Sequence, residues 1–146
     1  MSLKNVYTNF SSLSEMFSSL SLLLARLIIA YGFYEPAMNK WSGIDNVASW
    51  FGSMGFPFPL INAYLAATTE ILGVVLLTLG LFTRLISLPL MIVMIVAILT
   101  VHIPHGFSAG DNGFEIPLYY LIFLFIFVSH GAGKFSLDRV IFGDKN

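Results

Sequence analysis

Cysteine is absent from the 146-residue chain. That removes disulfides, thiolate metal ligands and thiol redox chemistry from its repertoire, and says nothing about compartment. Charge is scarce too. Charged residues make up 10% of the sequence and hydrophobic ones 57%, whereas a water-soluble domain carries about 25% charged residues. Too few remain to cover a water-facing surface. The formal net charge of −1 offers no basic face, so nucleic acid is excluded as a partner. What is plentiful is apolar sequence, with a mean hydropathy of +0.84, in a chain short enough for one domain.

Four stretches are candidates for crossing a bilayer, which takes about 20 helical residues for about 30 Å of hydrocarbon. They run from Ser18 to Met38, Leu60 to Phe82, Leu85 to Ile103, and onward from Ile116. The fourth offers only fourteen residues from Ile116 to Ser129. It reaches a full span only if "HGAGKFSL" continues the helix and Lys134 snorkels to the interface. Lipid requires every backbone polar group to be bonded internally, so these spans are helices. The expected fold is all-α: a four-transmembrane-helix bundle over residues 18–138, between an N-terminal tail (1–17) and a C-terminal tail (139–146).

Arg26 interrupts the first apolar run, and no small-x-small cleavage site follows it. It is therefore expected to be a retained helix and not a signal peptide. The Ser-rich leader "MSLKNVYTNFSSLSEMFSS" reads as a mobile or interfacial tail. With four spans, Lys4, Arg84, Lys134, Arg139 and Lys145 share one side with both termini, and Lys40 alone lies on the other. The positive-inside rule places the termini in the cytoplasm of a bacterial inner membrane and the two longer loops outside.

In the first outer loop, "WSGIDNVASWFGSMGFPFP", Ile44, Val47, Phe51 and Met54 recur at helical spacing. Ser42 is the expected cap, Gly55 and the "PFP" turn the expected end. Trp41 and Trp50 suit the headgroup level, so this short helix is expected to lie in the interface as an anchor.

Glu70 is the single acidic residue of the second span. Ala66, Glu70, Gly73 and Gly80 fall along one side, a stripe of small residues that another helix can approach closely. On the first span, Arg26 shares a stripe with Leu22, Ala30 and Phe33. Counted from the cytoplasmic ends at 1.5 Å per residue, Arg26 lies about 12 Å deep and Glu70 about 18 Å deep. A buried ion pair between Arg26 and Glu70 follows, because a lone carboxylate in hydrocarbon is very costly. Two roles stay open: a lock holding two helices in register, or a proton carrier or ligand group at Glu70.

A second polar group gathers at the outer rim. Glu35 is expected to close the first helix before Pro36, with Lys40 following, and His102 to end the third at "VHIPHG". His105, Asp111 and Glu115 lie in the loop that leads to the fourth helix; Tyr34, Tyr64 and Tyr119 are at similar depth. Two His with carboxylates are a donor set for zinc or iron, but an HxxH broken by Pro104 is not a helical ligand pair. A metal is the less favoured reading. His and carboxylates exchanging protons beside a quinone or similar headgroup fit better, which makes Glu70, His102 and Glu115 the candidate catalytic residues. A bis-His haem is set aside, since His130 is at the opposite end.

The order "ARLIIAYGFYEPAMNKW", "TEILGVVLLTLGLFTRL", "MIVAILTVHIPHGF" and "HGAGKFSLD" closely resembles the DoxX family of small four-helix bacterial membrane proteins. The likeness runs from Leu22 to Asp138, with Arg26, Lys40, Glu70, Gly80, Arg84 and His102 matching position by position. The chain departs at Pro36-Ala37, where many members have His-Gly. The resemblance implies a membrane subunit of a redox assembly, since the family takes its name from a subunit associated with thiosulfate:quinone oxidoreductase. Some relatives accompany metal-binding peptides and the oxidases that modify them. Three functions follow as expectations: a subunit of a quinone-linked oxidoreductase, a non-catalytic anchor docking a soluble or peptide partner, and a small carrier or channel centred on Glu70. Lacking cysteine and a haem pair, the chain needs a protein partner for electron transfer in the first of these. A homo-oligomer is compatible with all three.

Overall fold

The structure is a computed structural model that describes residues 3–143. Lys145, one of the basic residues assigned to the inner side, lies outside the described residues. Among these residues all regular secondary structure is helical, with no strand. Helix α1 spans Leu3–Glu15, α2 Ser18–Ser42, α3 Ile44–Ser53, α4 Pro59–Leu79, α5 Thr83–Ala97, α6 Glu115–His130 and α7 Leu137–Phe142. After α5 the chain keeps coiling through a wide π turn, Ile98–His102, and a tight 3-10 turn, Ile103–His105.

Helix α2 packs on α4, α5 on α4 and α6, and α3 on the start of α4. The core draws Ile29 and Phe33 from α2, Leu77 from α4, Leu90 from α5, and Leu124 and Phe127 from α6. Outward, Leu24, Ile28, Leu65, Leu88, Ile92 and Phe125 are exposed around the bundle. An apolar exterior of that extent is the face of a protein that sits in lipid. Helices α2, α4 and the continuous run Thr83–His105 are long and apolar enough to cross a membrane.

Several sequence expectations change. Helix α2 does not end at Glu35; it runs through Pro36 to Ser42. A proline costs one intrahelical hydrogen bond, a loss that membrane helices tolerate when neighbouring groups serve the freed carbonyl. Ser42 does not cap α3. It is the last residue of α2, and its hydroxyl donates to the Asn39 carbonyl at 3.1 Å. Helix α6 does not continue through "HGAGKFSL". Gly131 and Gly133 take φ of 75° and 78°, a left-handed conformation that breaks a right-handed helix. At 16 residues, α6 is about 24 Å long. The buried line of α4 is Ala63, Ala67, Glu70, Gly73 and Leu77. Ala66 is not on it and turns toward a cavity, whereas Gly80, the left-handed cap just past the helix, is buried against Arg26. Gly73 does admit a neighbour, since a Cβ there would stand 2.7 Å from Leu90 of α5.

Candidate functional site

Arg26 and Glu70 do not meet. The partner of Glu70 is Lys40, whose Nζ lies 3.0 and 2.9 Å from the two carboxylate oxygens. Arg26 is fully buried near the other end of the bundle, where Nη2 donates to the Phe135 carbonyl at 2.6 Å.

Helix register explains the correction. Arg26 packs against Gly80, so residue 26 of α2 is level with the last turn of α4. Ser18 and Phe82 are therefore not level, as the depth count assumed; α2 projects past α4 by roughly two turns. From Arg26 to Lys40 is 14 residues and from Gly80 back to Glu70 is 10. At 1.5 Å each these are about 21 and 15 Å. The long Lys40 side chain reaches back across the difference. Because α2 continues past Pro36, that lysine is on a rigid helix and not in a loop.

The pair is asymmetric. The Glu70 side chain is 2% exposed and that of Lys40 23%. Two ammonium protons go to the carboxylate, and the third is left for whatever enters beside it. That space is a cavity of about 660 Å³ shared by Lys40, Glu70, His102, Tyr120, Trp50 and Phe51. Its size and largely apolar wall suit a small-molecule site with a few fixed polar groups.

His102 is held by its ring. Nδ1 lies 2.8 Å from the Asn112 carbonyl. A carbonyl only accepts, so Nδ1 carries a proton and Nε2 of the neutral ring is the free acceptor. The π turn ahead of Pro104 sets this position, a wide turn of the kind often found at functional sites.

Glu115 has a different place. Its Oε2 accepts from the Ala109 amide at 3.0 Å and its Oε1 from the Tyr119 hydroxyl at 2.8 Å. It precedes the apolar run that begins at Ile116, and these two donors hold its carboxyl below the ordinary range. Glu115 braces the loop and does not line the cavity. Glu35, His105 and Asp111 are exposed and likewise stand off its wall. Tyr64 packs edge-on against Trp41, with ring centroids 6.0 Å apart. The expected rim cluster is thus divided: Lys40 and His102 face the cavity, the rest do not. Among the described residues, no three His or carboxylate side chains are grouped to hold a metal ion.

Sequence reasoning missed Asn62, Thr69 and Tyr120 as cavity residues. Thr69 and Tyr120 had the signal of a polar group inside an apolar run. It also assigned α3 an anchoring part only, whereas Trp50 and Phe51 form one wall.

The sequence as a whole has relatives among known proteins. The DoxX family profile matches residues 21–103. An uncharacterised protein of Haemophilus influenzae is 37% identical, covering 85% of this chain and 85% of its own. A Bacillus subtilis protein named "Putative oxidoreductase CatD" is 32% identical over 85% of this chain and 90% of its own. The inner membrane protein YphA of Escherichia coli is 31% identical over 81% and 88%. No solved structure shows a significant match. The profile takes in Glu70, Lys40 and His102, the residues that meet at the cavity, and the relatives are matched over most of their length; the chain is a membrane protein of the DoxX family.

Proposed function

We propose that the protein is the membrane subunit of a redox assembly and binds a quinone-like headgroup beside Lys40 and Glu70. The observation that carries this reading is a buried ion pair with its cation turned toward a 660 Å³ apolar cavity. The Bacillus relative named as an oxidoreductase supports it. The residues suit such a ring: Lys40 offers a charged N–H to a carbonyl oxygen, and the aromatic rings of Trp50, Phe51 and Tyr120 offer apolar faces. A quinone takes up two electrons and two protons on reduction. The electrons come from a partner subunit. The chain's own part concerns protons. Lys40 donates at the carbonyl, Glu70 holds the lysine charged and in place, and Nε2 of His102 is the group nearest the water-facing loop that can pass a proton inward.

Binding is testable without the partner. Trp41→Phe leaves Trp50, a cavity residue, as the sole tryptophan. Its fluorescence should be quenched saturably by a short-chain ubiquinone in detergent. Ala66→Phe, which fills the cavity from a half-exposed position, should abolish saturation. Quenching that stays linear in quinone and is unchanged by Ala66→Phe would refute the site. In membranes containing the native partner, His102→Gln should lower quinone reduction tenfold or more, about 1.4 kcal/mol of barrier. Glu115→Gln should leave the rate within about twofold, because Glu115 stands outside the cavity.

The reading includes four crossings, with α6 tilting little and the chain around Gly131 reaching the inner interface. Arg84, Lys134 and Arg139 then share the cytoplasmic side with both termini. Alkaline phosphatase fused after Asn146 should be inactive; full activity would invert the orientation.

A further inference from the structure

At the end of the bundle opposite the Lys40–Glu70 cavity lies a second hollow of about 540 Å³. Helix α2 contributes Ser19 and Leu22, the start of α5 contributes Arg84, and the segment after α6 contributes His130, Lys134 and Arg139. The charges are one-sided. Among the described residues that line it, the only acidic one, Asp138, is committed elsewhere: its two oxygens accept from the amides of Phe82 at 2.6 Å and Thr83 at 3.0 Å. The buried Arg26 guanidinium behind it also attracts that carboxylate. Among the described residues, Arg84 and Lys134 form no ion pair. Both are exposed, as are the flanking Phe82, Leu85 and Phe142.

From this arrangement we infer an anion site for a phosphate group, bound between Arg84 and Lys134, with the adjoining apolar side chains available to acyl chains. Guanidinium and ammonium groups suit phosphate oxygens by charge and by hydrogen bonding. A basic hollow between membrane helices at the headgroup level is a setting in which anionic lipids are held. The left-handed glycines after α6 make the hollow. Gly133 comes close enough to Leu22 that a Cβ would stand 3.3 Å from it, and the Lys134 amide donates to the Ser19 hydroxyl at 3.3 Å. These contacts keep Lys134 at the hollow that Arg84 also lines, and not further along a continuing helix. The ligand is a phosphate monoester or diester, and it can arrive as an anionic phospholipid or as a soluble organic phosphate.

The test uses the full chain in detergent and native mass spectrometry. Phosphatidylglycerol, phosphatidylcholine and glycerol 3-phosphate are added in separate arms. Retention of one phosphatidylglycerol, well above phosphatidylcholine, identifies a lipid source; retention of glycerol 3-phosphate identifies a soluble one. Either supports the site. Arg84→Gln with Lys134→Gln should weaken retention about tenfold or more, while Arg84→Lys with Lys134→Arg should keep it. If the double glutamine variant does not fold, Lys134→Gln alone and added salt on the unaltered chain give the same readout, since added salt screens the attraction. Equal retention of the anionic and zwitterionic lipids with none of glycerol 3-phosphate, or no effect of removing the charges, overturns the proposal.

Discussion

Glu70→Ala is expected to destabilise the protein by about 3 kcal/mol, the cost of breaking a buried ion pair from one side. The wild-type carboxylate takes two hydrogen bonds from Lys40 in a site where Glu70 is 2% exposed. Its removal leaves an unpaired ammonium at the wall of a largely apolar cavity. The figure sits at the low end for such pairs because Lys40 is 23% exposed and can turn to the cavity. Replacing both partners, Glu70→Leu with Lys40→Met, should recover most of the loss, since an apolar pair of similar volume needs no compensation. Adding Arg26→Leu to Glu70→Ala should recover nothing and add a loss of its own, because Arg26 holds the Phe135 carbonyl. Thermal unfolding in detergent measures all three. Rescue by Arg26→Leu, or a double variant no better than Glu70→Ala, would show that Lys40 is not the partner.

That experiment separates two readings of the same carboxylate, and the reason they differ is physical. Local signals were legible. Apolar runs marked the three long helices, Ile44, Val47, Phe51 and Met54 marked α3, and the cost of an unpaired charge showed that Glu70 must turn inward. Helix ends inside the apolar region were less legible. Pro36 reads as a stop by its missing amide, yet α2 passes it, because packing against α4 and α6 outweighs one lost hydrogen bond. Gly131 gave the opposite error. It stands where a span of full length needs helix, but its φ of 75° ends α6.

Relative register was illegible for another reason. Sequence gives depth along each helix from its own end, while the pairing of two helices depends on how far one slides past the other. The small residues that set the sliding, Gly80 against Arg26 and Gly73 against Leu90, identify close approaches only once the partner is known. An error of about two turns moved the pair from Lys40 to Arg26. The cavity was hidden for the same reason. Its walls come from α2, α3, α4, the end of α5 and α6, and no single element shows that Trp50, Thr69 and Tyr120 face a shared space.

Gly80 carries the second large expected effect, because two demands coincide there. Its φ is 65°, a left-handed conformation that costs an L-residue roughly 1–2 kcal/mol. A Cβ would also overlap Arg26 Nη1 and come within 2.6 Å of the Ser136 Cβ. The guanidinium is fully buried and bonded to Phe135, so it has little freedom to retreat. Ser136 is tied as well, since the Gly80 carbonyl accepts from the Asp138 amide at 2.9 Å just beyond it. Forcing a methyl into packed surroundings costs about 1–3 kcal/mol more. Gly80→Ala should therefore lower stability by about 3 kcal/mol. Gly55 supplies the control: its φ is 82°, and a Cβ there meets nothing within 4 Å. Gly55→Ala should show the conformational cost alone, about 1 kcal/mol. The two variants are compared by thermal unfolding in the same detergent. Equal shifts would mean that Arg26 does not fill the space beside Gly80, and would undo the register that places Lys40 on Glu70.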